Sequence, residues 1–169
     1  MHYRFFVLII TIFLITGCRY EIPLVDTADR PIDPAMLGLW RLIPESGEES
    51  GEPEQMMVLA YSDTEYLIHH PIGEDGVYYR AYPIEVAGKA CVQLQIIGDE
   101  DGPLTQTSEG LYLAADYVLE EGQLEVNIMN TELLSNTYTS SQALRKAFRQ
   151  LKHHPDLFNN PGTFVRVTD

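Results

Sequence analysis

Short stretches of alternating apolar and polar residues recur along most of the chain. In the clearest of them, Val92, Leu94 and Ile96 fall on one face of a strand, and Gln93 and Gln95 fall on the other. Turns containing Gly and Asp separate such stretches at the spacing typical of an all-β sandwich or barrel. The pattern predicts eight strands, at residues 37–43, 55–61, 65–70, 77–86, 90–97, 111–119, 123–129 and 163–167.

The stretch at residues 111–119 departs from simple alternation. One face is apolar throughout, and Tyr112, Ala114 and Val118 make the other face half apolar too. A strand with two apolar faces is either covered on both sides or lines a cavity. The sequence leaves both alternatives open.

One helix is predicted before the last strand. Its apolar residues recur at the spacing of a single helix face: Leu144, Ala147, Phe148 and Leu151. Ser140 or Ser141 is expected to cap it, and Pro155 to end it. Its polar side carries four basic residues, which either complement the helix dipole or form a patch for a partner.

The first 18 residues have the layout of a secretion signal. Arg4 precedes an apolar stretch at residues 5–15, which is shorter than the roughly 20 residues that span a bilayer. The sequence Ile-Thr-Gly-Cys at residues 15–18 resembles the lipobox of bacterial lipoproteins. The resemblance implies cleavage before Cys18 and a membrane anchor of lipid, with palmitate, on that cysteine. The alternative is a buried N-terminal strand or helix with an incidental cysteine.

The chain after Cys18 is expected to begin with a spacer. Residues 19–35 contain three prolines and no hydrophobic period, which predicts an extended tether that reaches roughly 50 Å. We therefore expect a signal peptide at 1–17, a lipidated cysteine and tether at 18–35, and one domain at 36–169. In bacteria that sort lipoproteins by the next residue, aspartate retains them in the inner membrane, so Arg19 favours the outer membrane of the cell envelope.

The chain is strongly acidic, with 25 acidic residues, 11 basic residues and a formal charge of −14. Removal of residues 1–17 takes away Arg4 and no acidic residue, which leaves −15. Such a field repels nucleic acid, which is therefore not expected as a partner.

Cys91 has no disulfide partner within the chain once Cys18 carries lipid. Its alternating neighbours predict a small buried hydrophobic residue. Catalytic use would require that folding bring a histidine and a carboxylate to its thiol.

The start of the first strand carries a short motif. Gly38-Leu39-Trp40 is similar to the Gly-x-Trp signature of lipocalins. The resemblance implies an eight-stranded antiparallel lipocalin-like barrel with one helix before the last strand. In it the glycine permits close backbone approach and the tryptophan plugs one end. Arg166 is the candidate for the arginine that lipocalins set across that tryptophan.

The whole mature chain resembles a group of uncharacterised bacterial lipoproteins. The resemblance rests on the lipobox, the Pro-rich spacer, the opening at residues 37–41, and the closing segments at 155–158 and 164–166. That group carries no assigned activity to transfer.

Several tyrosines fall on predicted strands. An aromatic ring with a polar tip suits a pocket for an apolar ligand that has a polar end. The candidates for ligand contact are Tyr79, Tyr82, Tyr112 and Tyr117. Ordinary packing within a β-sheet is the alternative.

Metal and catalytic motifs are weak. The pairs His69-His70 and His153-His154 invite comparison with zinc sites, but neighbours on a strand point to opposite faces. The acidic segments at 45–54 and 99–102 lack the ligand spacing of an EF-hand and fit solvated hairpin tips. No nucleophile elbow, phosphate loop or dinucleotide fingerprint occurs. We therefore predict no catalytic residues, no metal and no cofactor.

Together these features favour a lipid-anchored envelope protein that is not an enzyme. The first hypothesis is a binding module for an apolar small ligand or an envelope protein. The alternative is an acidic inhibitor or adaptor that docks onto a cationic protein.

Overall fold

The fold is described from a computed structural model at residues 19–44, 53–104 and 111–168. The strands in this part of the chain are β1 (Gly38–Leu42), β2 (Gln55–Ala60), β3 (Tyr66–His70), β4 (Val77–Val86), β5 (Lys89–Asp99), β6 (Gly102–Pro103), β7 (Tyr112–Glu120), β8 (Gln123–Met129) and β9 (Phe158–Arg166). The helix α1 is Ser141–Leu151.

Eight of these strands form a closed antiparallel barrel. Each strand pairs with the next along the chain, apart from the two-residue β6, which pairs only with β5. The last strand, β9, lies between β8 and β1 and closes the barrel. The predicted class, a mainly β barrel of eight antiparallel strands with one helix before the last strand, is confirmed.

The barrel has two unlike ends. One end, here called the plugged end, is the end at which tight turns at 87–88 and 121–122 join neighbouring strands. Both residues of each turn have positive φ, as hairpin turns of this length require. A short 3-10 helix, Pro34–Met36, lies at the same end. At the other end, here called the loop end, longer connections leave the strands, including the segment at 130–157 that holds α1.

Two cores stabilise the domain. The first fills the barrel, and its most deeply buried members include Trp40, Val58, Ala81, Ala115 and Leu124. The second lies between α1 and the outer face of β4, β5 and β7, and includes Ile84, Cys91, Ala114, Leu144 and Phe148. Because Ala114 and Ala115 are buried on opposite faces, β7 is covered on both sides at this point, whereas Val118 farther along the strand is 49% exposed.

The helix follows the prediction closely. Ser140 is its N-cap and accepts a hydrogen bond from the Ala143 N–H at 3.3 Å. Leu144, Ala147 and Phe148 are buried on one face. Among the described residues, no helix has the length and apolar character needed to cross a bilayer.

The last strand begins earlier than the sequence predicts. The expectation was 163–167, whereas β9 begins at Phe158. Residues 159–162 are Asn, Asn, Pro and Gly, which favour turns, so the pattern predicts a loop. In the structure this segment pairs with β8 through an irregular register, and Pro161, which lacks an N–H, is tolerated at such an irregularity.

The expected tether packs along the barrel instead of extending away from it. Residues 19–33, here called the strap, run from the loop end to the plugged end. At the loop end the main chain of Tyr20 bonds to that of Tyr112, and at the plugged end the Ile32 N–H donates to the Asp63 carbonyl at 3.0 Å. Tyr20 is 2% exposed and Leu24 is fully buried.

A buried glutamine explains why the strap docks. Gln93 lies on the outer face of β5, and its Oε1 accepts the Leu24 N–H at 2.7 Å. Its Nε2 donates to the Leu113 carbonyl at 2.7 Å. A polar side chain at 1% exposure is stable there because both ends of its amide are bonded. The proline-rich composition of the strap gave no sign of this contact.

We expect Leu24→Ala to lower the free energy of unfolding by about 2–5 kcal/mol, the range typical of a leucine truncated in a core. The matched control is Leu59→Ala, since Leu59 is 49% exposed on β2 and its truncation is expected to cost less than about 0.5 kcal/mol. Urea unfolding of both variants measures the difference. Equal small losses would show that the strap does not pack on the barrel in solution.

Candidate ligand-binding site at the loop end of the barrel

The plugged end is closed by a stacked pair. The guanidinium of Arg166 lies over the Trp40 ring, 4.3 Å from its centroid, and donates to the carbonyls of Ala35 and Leu37. Trp40 is fully buried, and its Nε1 donates to the Met36 carbonyl at 2.9 Å. The Arg166 side chain on β9 therefore connects the barrel to the 3-10 helix by hydrogen bonds that pass over the Trp40 ring.

Gly38 is required by this arrangement. Its φ is +135°, and a Cβ there would lie 2.7 Å from Nη1 of Arg166. Any other side chain would both strain the backbone and displace the guanidinium. The structure thus brings Gly38, Trp40 and Arg166 together at one end of the barrel.

The four candidate tyrosines do not share one site. Tyr79 and Tyr117 face the barrel interior, and burial together with the negative charge of Asp33 raises the pKa of Tyr117. Tyr82 and Tyr112 lie on the outer face beneath the strap, where the Tyr82 hydroxyl donates to the Val25 carbonyl at 2.6 Å. Burial raises the pKa of Tyr82 to about 12. Of the four, only Tyr79 faces the interior at the loop end.

The loop-end half of the interior is apolar but incompletely covered. Five inward-facing side chains there pack on the barrel core and remain partly exposed: Leu42, Tyr79, Leu94, Val126 and Ile128. Nearer the plugged end, Trp40 and Leu124 have no exposed surface, although Leu37, Tyr117 and Leu119 are partly exposed there as well. A partly exposed apolar surface suits contact with a small apolar ligand, and at the same end a concave surface of about 580 Å³ is lined by residues 53–55 and 71–75.

A buried acceptor lies within this apolar surface. Asn159 on β9 pairs with inward-facing Ile128, and its Oδ1 is buried with no hydrogen-bond partner among the described residues. An acceptor left in this state costs about 1–3 kcal/mol. A ligand that donates a hydrogen bond at this position would recover that cost.

A histidine and a glutamate form a second polar contact at the loop end. His70 is the last residue of β3, and its Nε2 lies 2.7 Å from Oε1 of Glu54. The edge of its ring meets the Phe164 ring at a centroid distance of 5.6 Å. A hydrogen bond from His70 lowers the pKa of the Glu54 carboxyl, although burial opposes the shift.

Tyr79 lies between charges of opposite sign. Burial raises the pKa of its hydroxyl, the positive charge of Arg19 lowers it, and the charge of Glu54 raises it. The charge of Arg19, the first described residue of the strap, therefore acts on Tyr79.

The outer rim of the loop end is acidic. His69 stacks on Tyr78 with ring centroids 4.1 Å apart, and its Nε2 lies 3.2 Å from Oε1 of Glu100. Glu100 also accepts the Tyr78 hydroxyl at 3.2 Å, so this residue is bonded rather than a free hairpin tip. The acidic residues described at this rim are Glu54, Glu74, Asp75, Asp99, Glu100 and Asp101.

A second concave surface lies outside the barrel, between the strap and β3 to β5. It encloses about 420 Å³ and contains the pair Glu65–Arg80, whose contacts are 2.7 and 2.8 Å. Glu65 raises the pKa of Arg80. Both oxygens of the Glu65 carboxylate are already bonded to Arg80. This surface therefore offers a ligand fewer unbonded polar atoms than the loop end does.

The histidines do not assemble a metal site in the described part of the chain. His69 and His70 point to opposite faces of β3, as neighbours on a strand must, and each meets its own carboxylate. His154 lies 3.9 Å from Asp156 in an exposed turn. Within residues 19–44, 53–104 and 111–168, no three side chains of His, Cys, Asp or Glu are grouped to hold a metal.

Cys91 is a buried thiol beneath α1. It is 2% exposed, and burial raises its pKa to about 12. The charges that act on it are those of Lys89 and Asp116. The thiol is therefore held protonated, which is the opposite of what a nucleophile requires.

Sequence reasoning missed Asn159 and Gln93 and undervalued the pair His70–Glu54. Asn159 lies in a segment with the composition of a turn, and Gln93 lies on the polar face of an alternating strand, opposite Val92 and Leu94. Proximity in the chain gives no sign of either environment. Cys18 and the acidic residues at 45–52 lie outside the described residues.

The pair His70–Glu54 predicts an acid-sensitive contribution to stability. Because the pKa of Glu54 is lowered in the folded state, its contribution is present above the ordinary glutamate pKa and is lost as the pH falls through the lowered value. We expect Glu54→Gln to cost under about 1 kcal/mol at pH 7, since the pair is partly exposed, and nothing near pH 3. Urea unfolding at both pH values, with exposed Glu74→Gln as the control, measures this. A loss of stability in Glu54→Gln that persists near pH 3 would contradict a stabilising role for the pair His70–Glu54.

The burial of Cys91 predicts a slow thiol reaction. In the native protein, we expect Cys91 to react with a disulfide reagent at pH 7 at least 100-fold more slowly than in urea, because its thiol is both covered and protonated. An introduced Ile72→Cys, at a position 39% exposed, is the control for an accessible thiol. Equal rates for Cys91 in native and unfolded protein would overturn this view of the second core.

Comparison of the chain with protein-family models, with curated proteins and with solved structures finds no match.

Proposed function

We propose that this protein is a non-enzymatic binding module of the cell envelope, anchored by lipid on Cys18, with outer-membrane placement favoured. Its ligand is a small apolar molecule that enters the loop end of the barrel. One observation carries the choice of site. The buried Oδ1 of Asn159 lacks a partner among the described residues and lies beside partly exposed apolar side chains.

The polar groups indicate the chemistry of the ligand. Asn159 Oδ1 and the Glu54 carboxylate both accept hydrogen bonds, which favours a ligand with an N–H or O–H donor. The six acidic residues of the rim disfavour an anionic head group at the same place. The best match is a neutral or cationic amphiphile with an apolar body.

The anchor rests on the sequence. The apolar stretch at residues 5–15 and the lipobox that ends at Cys18 support lipidation, and Arg19 supports transfer to the outer membrane. Each buried methylene of an acyl chain contributes about 0.8 kcal/mol, so two or three chains hold a protein on a bilayer stably.

The plugged end supports a binding role for the other end. Trp40, Arg166 and the 3-10 helix close one side of the interior, so a ligand reaches the apolar surface from the loop end. The only thiol among the described residues, Cys91, is held protonated under α1, which favours a role in packing.

Binding of two probes tests the site. We expect the chain from residue 19 onward to bind phenylnaphthylamine, an apolar amine with one N–H, and pyrene, a hydrocarbon without a donor. Asn159→Leu should raise the Kd for the amine by about 2- to 10-fold, the value of one lost hydrogen bond, and leave that for pyrene unchanged or lower.

The matched control is Asn127→Leu, because Asn127 is an outward-facing asparagine on β8 that donates to Glu125 at 3.2 Å. Fluorescence titration measures all three proteins. The proposal fails if neither probe binds, or if the control weakens the binding of the amine as much as Asn159→Leu does.

The acidic rim favours a second candidate, an adaptor or inhibitor that docks onto a cationic protein. Native mass spectrometry of the protein taken from its own membrane separates the two functions. A bound small molecule supports the first, and a basic protein partner that is released by salt supports the second.

A further inference from the structure

We infer that the loop end of the barrel faces the bilayer, because the chain that leads to the membrane anchor leaves the folded domain at a fixed point on that end. This inference rests on the anchor in the proposed function and adds an orientation and an interaction surface to it. The partner is the surface of a zwitterionic bilayer.

The fixed point is Tyr20. Its N–H donates to the Tyr112 carbonyl at 2.7 Å, and the Tyr112 N–H donates back to the Tyr20 carbonyl at 2.9 Å. The Tyr20 hydroxyl donates to the Leu134 carbonyl at 2.6 Å, and the side chain is 2% exposed. Because Tyr112 is the first residue of β7, this attachment lies at the loop end.

The strap after Tyr20 is held as well. The Leu24 N–H is bonded to Gln93, and the Leu24 carbonyl accepts from Arg145 of α1 at 3.0 Å. The next residue, Val25, accepts from Tyr82 at 2.6 Å. Release of the strap as a tether would break these bonds and expose the fully buried Leu24. The anchor therefore gains no length from this segment.

The remaining reach is short. Only Arg19 separates Cys18 from Tyr20, and these two residue steps allow at most about 7 Å, compared with roughly 50 Å for a free tether. If the apolar stretch at 5–15 stayed attached, it would leave the domain at the same point. Lipid chains at Cys18 thus bring the loop end to the head groups.

The surface around this point matches one kind of bilayer. Ile43 and Ile72 are 40% and 39% exposed, and their N–H groups are bonded to Thr163 and Gln55 at the loop end. They provide apolar contact, whereas the acidic rim repels an anionic surface. The loop end is therefore suited to a zwitterionic bilayer.

Fluorescence quenching tests the orientation. The lipidated full-length mature protein is reconstituted in phosphatidylcholine vesicles that contain a lipid with a nitroxide head group. A dye is placed on Ile72→Cys at the loop end, or on Leu59→Cys, which lies on β2 about 13 Å farther from that end. Cys18 is blocked by lipid, and Cys91 is buried. We expect at least twofold stronger quenching at position 72 than at position 59.

An inserted linker is the control for the short attachment. Ten Gly and Ser residues placed between Arg19 and Tyr20 add roughly 17 Å of flexible reach and leave the contacts of the strap from Tyr20 onward in place. We expect the insertion to reduce quenching at position 72 to the level at position 59. Replacement of a third of the lipid by an anionic lipid should also reduce it in the original protein.

Three outcomes would overturn the inference. Equal quenching at the two positions in the anchored protein would show that the loop end does not face the bilayer. A difference that survives the linker would show that the short attachment does not set the orientation. Protein that leaves the vesicles would overturn the anchor and the orientation together, whereas binding of the two probes by the chain from residue 19 onward tests the ligand site independently.

Discussion

The structure depends on closure of the barrel by its last strand. β9 lies between β8 and β1 and satisfies the main-chain groups of both, so the barrel has no open edge there. Its C-terminal residue, Arg166, then stacks on Trp40 and bonds to the carbonyls around the 3-10 helix. The strand that closes the wall therefore also closes one end. This explains how packing holds a domain in which the described residues contain one cysteine, Cys91, with a free thiol.

A second constraint acts outside the barrel. The outer face of β4, β5 and β7 is apolar and needs cover, which α1 and the strap provide together. Gln93 fixes the position of the strap because its buried amide must be bonded at both ends. As a result, residues 19–33 belong to the folded domain.

The two ends of the barrel differ in chemistry as well as in shape. At the plugged end, the cation of Arg166 is satisfied by an aromatic ring and carbonyls. At the loop end, apolar side chains remain partly exposed beside Asn159, whose acceptor lacks a partner among the described residues. Such an acceptor costs stability and is retained at binding sites where a ligand can satisfy it. This asymmetry favours binding at the loop end over a purely structural barrel.

The sequence by itself determined the strands, the turns and the helix, because these depend on local alternation, on Gly and Asp in tight turns, and on a 3.6-residue period. It also singled out Gly38, Trp40 and Arg166, although their contact across the barrel became visible only in the fold. Tertiary structure alone decided the early start of β9, the docking of the strap and the places of Asn159 and Gln93. Each depends on partners far away in the chain, and composition rich in Pro, Asn or Gly predicts a loop whether or not such partners exist. The same reason explains why the four tyrosines lie at different places. The register of a strand decides whether a residue faces the inside or the outside of the barrel, and the segments that pack on that side decide its neighbours.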